Sequence, residues 1–227
     1  MFGIDKHTLC CLHFDDSATK DECGNEWEVV GNQPSLGVGK FKNGVNFDGS
    51  ASYIKKQTLT IEDEFTVDCW VNFTSVIDYY GCIFSLGSTN IINNPSLFSV
   101  YCDNNGLLYV TGNDSQLQKT LNVSLKSNTY QHLAVVKMDK SIRFFIDGKL
   151  IYTIDSVQLD LSNNPYPLTI GNWALNNTTR ALIGYIDEFR ISDVARWTSD
   201  FTPPTTPYTR SLKLYLDENN AVWGCRE

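Results

Sequence analysis

The chain has 227 residues, of which 42% are hydrophobic and 19% charged, so we expect a packed core and exclude a disordered chain. Its 18 lysines and arginines stand against 26 acids. The net charge of −8 argues against a nucleic-acid partner, because phosphate binding needs a basic face. Apolar runs are far shorter than the ~18 residues that a spanning helix needs, and no signal peptide is readable. We therefore expect that the chain is synthesised in the cytoplasm and does not insert into a membrane. Its assembly into a virion or a surface structure is left open.

Short β-strands separated by turn signals are predicted along the whole chain. About a dozen such strands and no long amphipathic helix predict an all-β fold, an antiparallel β-sandwich. One short helical turn is predicted at Ser192–Trp197. The predicted strands are Thr8–Phe14, Gly44–Asp48, Tyr53–Ile54, Phe65–Phe73, Gly81–Leu86, Leu97–Cys102, Leu107–Thr111, Tyr130–Lys137, Ser141–Ile146, Lys149–Ile154, Leu168–Asn172, Leu182–Ser192 and Leu212–Leu216.

The segment Phe65–Phe73 has the clearest strand pattern, because apolar residues occupy every second position and Thr66, Asp68, Trp70 and Asn72 lie between them. The apolar set predicts the core face, and its member Cys69 reads as a small core residue. The opposite face could expose Trp70 as a stacking platform. We favour the alternative that both faces of this strand are covered.

Asp147-Gly148 separates two β-rich runs and predicts a tight hairpin, since a type I′ turn needs positive φ at both central positions. The proline-rich stretch Thr202–Pro207 is expected to be extended and to close one domain over residues 1–208. Residues 209–227 are interpreted as a C-terminal tail. Its alternating leucines and the following polar turn predict a short hairpin.

Seven cysteines are present, so at least one thiol is unpaired in a monomer. No C-x-x-C pair occurs and the three histidines are scattered, so the sequence gives little support for a zinc site. Without a secretion signal we expect reduced, structural cysteines.

Several blocks, in this order, resemble the laminin G-like/concanavalin A-like jelly-roll family, and most closely its versions in bacterial and phage proteins. The resemblance covers about residues 8–208 and implies a jelly roll. That fold hosts lectins, glycosidases, adhesion modules and spacers, so it does not by itself give the function. The blocks are LHFDD (Leu12–Asp16), FDGSASYI (Phe47–Ile54), FTVDCWV (Phe65–Val71), HLAVVK with SIRFFIDGKLI (His132–Ile151), LTIGN (Leu168–Asn172), GYIDEFRISDVARW (Gly184–Trp197) and FTPPTTPY (Phe201–Tyr208).

Asp187 alternates with Tyr185, Phe189 and Ile191, which predicts a carboxylate on an apolar face. A buried carboxylate needs backbone N–H donors, a paired charge or a metal. We therefore consider two roles for Asp187, the capping of a neighbouring loop or the ligation of Ca²⁺, a frequent cofactor of the family it resembles. Candidate partner ligands are Asp15 and Asp16, whereas Asp48 reads as a turn residue.

Carbohydrate sites combine aromatic rings with amide and carboxylate groups, because a ring covers the apolar face of a sugar while polar groups bind its hydroxyls. Such residues occur in several predicted loops, although asparagine favours turns in any case. The candidate carbohydrate-binding residues are Tyr79, Tyr80, Asn94, Trp173 and Asn176.

Catalysis is not indicated. Glycoside hydrolysis needs two carboxyl groups across the scissile bond, and the acidic E-x-D-x-E strand of laminarinase-like relatives is missing. Asp187 and Glu188 are neighbours on a strand and are expected to point to opposite faces. His132 has no accompanying nucleophile motif and is interpreted as a structural, hydrogen-bonded histidine.

The sequence therefore favours a non-catalytic, lectin-like module that binds a glycan or a cell-surface polysaccharide and is associated with a phage tail or a cell surface. An alternative is a structural module that contacts a protein partner through the tail, where Trp223 could be exposed. A glycoside hydrolase is the third and least favoured hypothesis.

Overall fold

A computed structural model describes residues 3–76, 79–91, 94–173, 180–210, 212–216 and 222–226, with side chains described outside 88–96 and 211–227. Two antiparallel sheets share one hydrophobic core, which confirms the predicted all-β sandwich. One turn of 3-10 helix lies at Ser115–Leu117. None of the described helical structure is long and apolar enough to cross a bilayer.

The seven-stranded sheet consists of β3 (Glu28–Val30), β6 (Tyr53–Lys56), β8 (Tyr80–Ile91), β9 (Asn94–Asp103), β10 (Leu107–Gly112), β11 (Lys119–Ser124) and β15 (Leu168–Ile170). Its order is β11-β10-β9-β8-β15-β6-β3. The strands β8, β9 and β10 are consecutive in the chain and adjacent in the sheet, so they form a meander across its middle.

The eight-stranded sheet consists of β2 (Thr8–Leu12), β4 (Ser35–Val38), β5 (Asn43–Asp48), β7 (Phe65–Val76), β12 (Tyr130–Met138), β13 (Ser141–Ile146), β14 (Lys149–Ile154) and β16 (Leu182–Ser192). Its order is β14-β13-β12-β7-β16-β5-β4, and β2 also pairs with β16. The predicted β13–β14 hairpin is confirmed, since Asp147 and Gly148 have φ of 50° and 74°.

The core lies between the sheets and follows the alternation of β7. All five apolar residues at alternate positions of Phe65–Phe73 are buried in it, as predicted. On the outer face, Trp70 is only 5% exposed and its ring packs edge-on against Phe41 and His132. Both faces of β7 are therefore covered, which confirms the favoured interpretation of Trp70.

A β-bulge interrupts β16 and overturns the predicted environment of Asp187. The register with β7 shifts between Asp187 and Arg190, and Glu188 adopts a positive φ of 51°. The extra residue reverses the alternation, so Phe189 and Ile191 enter the core while Asp187 stays on the outer face opposite Trp70. The prediction that Asp187 shares a face with Phe189 and Ile191 was wrong, because period-2 reasoning assumes an unbroken strand.

The prediction of a helical turn at Ser192–Trp197 was also wrong. The Thr66 hydroxyl donates to the Val194 carbonyl at 2.7 Å and accepts the Arg196 N–H at 2.9 Å. These backbone groups are thus held by β7 rather than by a helical turn. The predicted turn role of Asp48 is confirmed, since its carboxylate accepts the Ser50 N–H at 2.9 Å.

The chain ends are tied by short strands. β1 (Gly3–Ile4) pairs in parallel with β17 (Thr209–Arg210), directly after the proline-rich segment. In the tail, β18 (Leu212–Leu216) pairs antiparallel with β19 (Val222–Arg226), as the alternating leucines predicted. The domain boundary at residue 208 stays a prediction.

A buried polar cluster fastens the C-terminal segment to the outer face of the eight-stranded sheet. Asp68 accepts hydrogen bonds from Arg190 at 3.0 and 3.3 Å and from the Tyr208 hydroxyl, and it lies 3.3 Å from His132 Nε2. Burial opposes ionisation of Asp68, but the Arg190 charge and these hydrogen bonds outweigh it and hold its pKa at about 2. The structural interpretation of His132 is thereby confirmed.

Candidate functional site

Three tyrosines lie side by side on the outer face of the seven-stranded sheet. Tyr101 on β9 is paired directly with Tyr109 on β10, and Tyr80 comes from the start of β8. Their neighbours Val100 and Leu108 belong to the core, so alternation turns the tyrosine rings away from it. All three rings are half-buried, and we call Tyr80, Tyr101 and Tyr109 the tyrosine patch.

The rings of the tyrosine patch contact one another closely. Tyr101 and Tyr109 stack with ring centroids 5.4 Å apart and an interplanar angle of 11°. Tyr80 meets them edge-on, at 5.1 Å from Tyr101 and 5.2 Å from Tyr109. Such mutual packing fixes the rings in place before any ligand arrives, so little side-chain entropy would be lost on binding.

Trp173 and Arg180 border the tyrosine patch. Trp173 follows β15 and packs edge-on against Tyr101 at 5.9 Å, with only 6% of the residue exposed. The Arg180 guanidinium lies 5.1 Å from the ring centroids of both Tyr80 and Trp173. Its cation–π contacts place a positive charge beside the aromatic rings.

Polar groups complete the patch. The Tyr109 hydroxyl donates to Asp103 Oδ2 at 3.4 Å, while Asp103 Oδ1 accepts the backbone N–H groups of Asn105 and Leu107. Burial, together with the neighbouring Tyr80, raises the pKa of Tyr101 to about 12, so its hydroxyl keeps its proton at neutral pH. The site thus offers ring faces, hydroxyl groups, a carboxylate and a guanidinium on one surface.

The predicted carbohydrate-binding residues divide into three groups. Tyr80 and Trp173 come together, because both contact Tyr101. Tyr79 is 76% exposed at the entrance to β8. Asn94 begins β9 with a side chain outside the described set, and Asn176 lies outside the described residues. These roles stay predictions.

The sequence reasoning missed Tyr101, Tyr109 and Arg180. Both tyrosines lie in predicted strands, Leu97–Cys102 and Leu107–Thr111, which are separated by the four residues 103–106, of sequence DNNG. Pairing these two strands across the turn and applying the alternation would have placed the two rings on one face. Arg180 carried no comparable signal, because its position depends on contacts between distant parts of the chain.

The predicted calcium ligands Asp15, Asp16 and Asp187 contact different neighbours. Lys42 Nζ lies 3.1 Å from Asp16 and 3.5 Å from Asp15, and the Asn43 N–H donates to Asp15 at 3.3 Å. Asp187 instead accepts the Phe41 N–H at 2.9 Å. The three carboxylates do not form a compact cluster, and the lysine charge beside Asp15 and Asp16 disfavours a cation there.

Asp187 itself has an unusual environment. It is fully buried, and its Oδ1 has no hydrogen-bond partner in the described part of the chain. Burial raises the pKa of its carboxyl to about 7, although the Phe41 N–H opposes the shift. The capping role agrees with the Phe41 contact, and the unpartnered oxygen would suit a cation. Calcium ligation stays a prediction.

Glu188 contacts different neighbours from Asp187. Its carboxylate is 2.7 Å from His13 Nδ1 and accepts the Tyr208 N–H at 2.8 Å. The simple alternation that placed the two carboxylates on opposite faces does not hold at the bulge. Glu188 is thus held by His13 and Tyr208, whereas Asp187 accepts the Phe41 N–H.

The family model described as the concanavalin A-like lectin/glucanases superfamily matches residues 47–200. No curated protein sequence is significantly similar to the chain. Among solved structures, domain 4 of the extracellular arabinanase AbnA from Geobacillus stearothermophilus, in complex with arabinotriose, is similar at 17% identity. The similarity has a TM-score of 0.65 and covers 83% of this chain and 93% of that domain.

Two toxin binding domains are also similar in fold. That of Paraclostridial Mosquitocidal Protein 1 has 14% identity and a TM-score of 0.64, with 83% of this chain and 49% of that one covered. Botulinum neurotoxin type C, whose cell entry depends on two ganglioside molecules, has 16% identity and a TM-score of 0.60, with 83% and 48% covered. The chain thus spans about half the length of these toxin domains.

Proposed function

We propose that this chain, which belongs to the concanavalin A-like lectin/glucanase superfamily, is a non-catalytic module that binds a glycan at the tyrosine patch. The observation that carries the proposal is the packing of three outward-facing tyrosines beside Arg180 and Trp173 on one sheet. A solvent-facing aromatic cluster of this kind has no role in the core, which lies on the other side of the sheet.

The chemistry of the patch suits a sugar. Half-buried ring faces cover the C–H groups of a pyranose or furanose ring, while the tyrosine hydroxyls and Asp103 bind its hydroxyl groups. Arg180 adds a positive charge beside the rings, which favours oxygen-rich ligands. The arabinotriose complex of the Geobacillus domain supports the same ligand class on a similar fold.

A non-catalytic role is supported by the surroundings of the acidic residues. Asp103 lies beside the patch on the seven-stranded sheet, whereas Glu188 belongs to β16 of the other sheet and is held by His13 and Tyr208. Hydrolysis would need two carboxyl groups roughly 5 to 9.5 Å apart on either side of a bound sugar. Association with a phage tail or a cell surface stays a prediction.

Tyr109→Ala is expected to weaken glycan binding about tenfold, because it removes one stacked ring from the patch. A glycan array that contains arabinan fragments and ganglioside oligosaccharides would first identify a ligand. Isothermal titration calorimetry with that ligand would then compare the variant with the wild type.

Tyr185→Ala is the matched control, since Tyr185 is also a half-buried tyrosine but lies on the outer face of the eight-stranded sheet. Its affinity for the same glycan should equal that of the wild type. Equal losses in the two variants would indicate a general structural effect, and an unchanged affinity in Tyr109→Ala would refute the patch as the binding site.

A protein-contact role is the second candidate, and the β18–β19 hairpin favours it. Among the described strands, these two pair only with each other and with neither sheet. An isolated two-stranded hairpin is marginally stable in water, so it gains stability by packing against another surface. The tail could supply that contact in a larger assembly.

Removal of residues 211–227 separates the two candidates and keeps β17 paired with β1. We expect glycan affinity to change by less than about twofold, because β8, β9 and β10 form the patch without the tail. Calorimetry and light scattering would measure affinity and molar mass. If the shortened chain no longer forms an oligomer that the whole chain forms, and its glycan affinity is unchanged, the tail has a protein-contact role in addition. If the shortened chain loses its affinity, the glycan site lies in the tail.

A further inference from the structure

A second cluster of chemically reactive side chains lies on the other sheet, where β2 meets the bulge of β16. Ligand atoms of Cys11, His13 and Glu188 all lie within 4.8 Å of one another. In the described part of the chain, no other set of three cysteine, histidine or acidic side chains comes together this closely. The sequence analysis did not predict this cluster, since Glu188 is far from Cys11 and His13 in the chain.

The backbone positions these three side chains firmly. Cys11 lies near the end of β2 and His13 follows directly after this strand, two residues further on. Phe189 is paired with Leu12 and Arg190 with Cys11, so the same antiparallel register brings Glu188 alongside His13. One Glu188 oxygen lies 2.7 Å from His13 Nδ1, and the other accepts the Tyr208 N–H at 2.8 Å.

The cluster is largely buried but borders a small cleft on one side. Cys11 is fully buried and Glu188 is 2% exposed, while the His13 side chain is 19% exposed and borders a cleft of about 120 Å³. Asp15, Asp16 and Glu22 line the same cleft together with Lys20, so acidic side chains outnumber the one lysine there. The nearest buried cation, Arg190, is already paired with Asp68.

We propose that Cys11, His13 and Glu188 form a binding site for one zinc-like transition-metal ion. Sulfur, nitrogen and carboxylate oxygen donors match the ligand preference of Zn²⁺, and three protein ligands leave a fourth position for water in the adjoining cleft. The Tyr208 N–H orients the Glu188 carboxylate in the way that outer hydrogen bonds orient metal ligands. A calcium ion is disfavoured, because it selects oxygen donors.

Metal binding here exchanges protons for the ion. The Cys11 thiol releases its proton to solvent and binds as a thiolate. The His13 Nδ1 proton that bonds Glu188 is also released, either directly to solvent or by transfer to Nε2 of a neutral ring, so the imidazole keeps one proton on Nε2 and Nδ1 is free to ligate. No electron is transferred. The ion would join β2 to β16 and, through Glu188, to the segment that contains Tyr208, independently of glycan binding on the other sheet.

Cobalt(II) is the probe, because a Co²⁺–thiolate bond gives a charge-transfer band in the near ultraviolet. The reduced full-length chain, kept reduced with a phosphine, is expected to bind about one Co²⁺ with this band, and added Zn²⁺ should abolish the band by displacement. Cys11→Ala should remove the band. His13→Gln, at a partly exposed position, should weaken Co²⁺ binding at least about tenfold.

Cys23→Ala and His7→Gln are the matched controls. Cys23 is half-buried with its thiol bonded to the Thr8 carbonyl, and His7 pairs with Asp193, so neither belongs to the cluster. Both should keep the wild-type band and affinity. The proposal is overturned if the wild type shows no thiolate band, or if His13→Gln binds Co²⁺ as tightly as His7→Gln does, an outcome that is readable even if Cys11→Ala fails to fold.

Discussion

Arg190→Met is expected to lower the free energy of unfolding by about 3 to 5 kcal/mol, because it leaves the fully buried Asp68 without its cation. His132 and Tyr208 still contact Asp68, but the guanidinium supplies two of its hydrogen bonds and the opposing charge. Chemical denaturation at neutral pH, monitored by tryptophan fluorescence, measures the loss.

Lys149→Met is the matched control. Lys149 pairs with Asp200 at 3.0 Å, but both side chains are mostly exposed. An exposed pair is worth about 0 to 1 kcal/mol, so this variant should unfold almost like the wild type. Similar losses in the two variants would show that the buried cluster does not fasten the C-terminal segment as described.

The second large effect concerns Asp187. Its pKa in the folded chain, about 7, lies above the ordinary 3.8, so folding favours the protonated carboxyl. The resulting stabilisation is complete at low pH and is lost as the pH rises through about 7. Between about pH 5 and 8.5, the wild type should therefore lose about 2 to 4 kcal/mol more stability than Asp187→Asn, whose amide does not titrate.

Urea denaturation in the presence of a chelator measures this difference. Asp155→Asn is the control, because Asp155 is exposed and should keep the pH dependence of the wild type. If Asp187→Asn and the wild type lost equal stability over this range, then Asp187 would be ionised throughout. Its unpartnered oxygen would then need another explanation, such as a bound cation.

Much of the fold could be predicted because its strands are regular. The alternation in Phe65–Phe73 correctly predicted which side chains of β7 face the core. The Asp147-Gly148 pair correctly predicted the turn between β13 and β14, where both residues have positive φ. The short outer strands β3, β4 and β11 were not predicted. Each is three to six residues long and has little burial to impose a pattern.

The bulge in β16 marks the limit of sequence periodicity. One extra residue at Glu188 reverses the alternation of core-facing and outward-facing side chains along β16. The residues of Tyr185–Ile191 do not indicate this bulge. The candidate metal site depends on the pairing of β16 with β2, which places Glu188 beside His13, and the local sequence does not reveal this pairing. Features that depend on strand register require the three-dimensional structure.

The candidate glycan site was predictable in part. Tyr80 and Trp173 were predicted from loop chemistry, whereas Tyr101 and Tyr109 lie inside predicted strands and not in loops. The candidate site therefore combines the strand residues of the tyrosine patch with Trp173, which follows β15. Its rigid sheet base holds the rings in position, which suits a site that recognises a ligand without remodelling.

A glycan array with the whole chain, in calcium and again in chelator, tests directly whether this protein binds a glycan at the tyrosine patch. We expect binding to one glycan or a few related glycans in both conditions, because the three tyrosines can contact a sugar without a metal ion. No binding in either condition would contradict a glycan-binding function. Binding only in calcium would contradict the tyrosine patch as the site and would direct attention to Asp187.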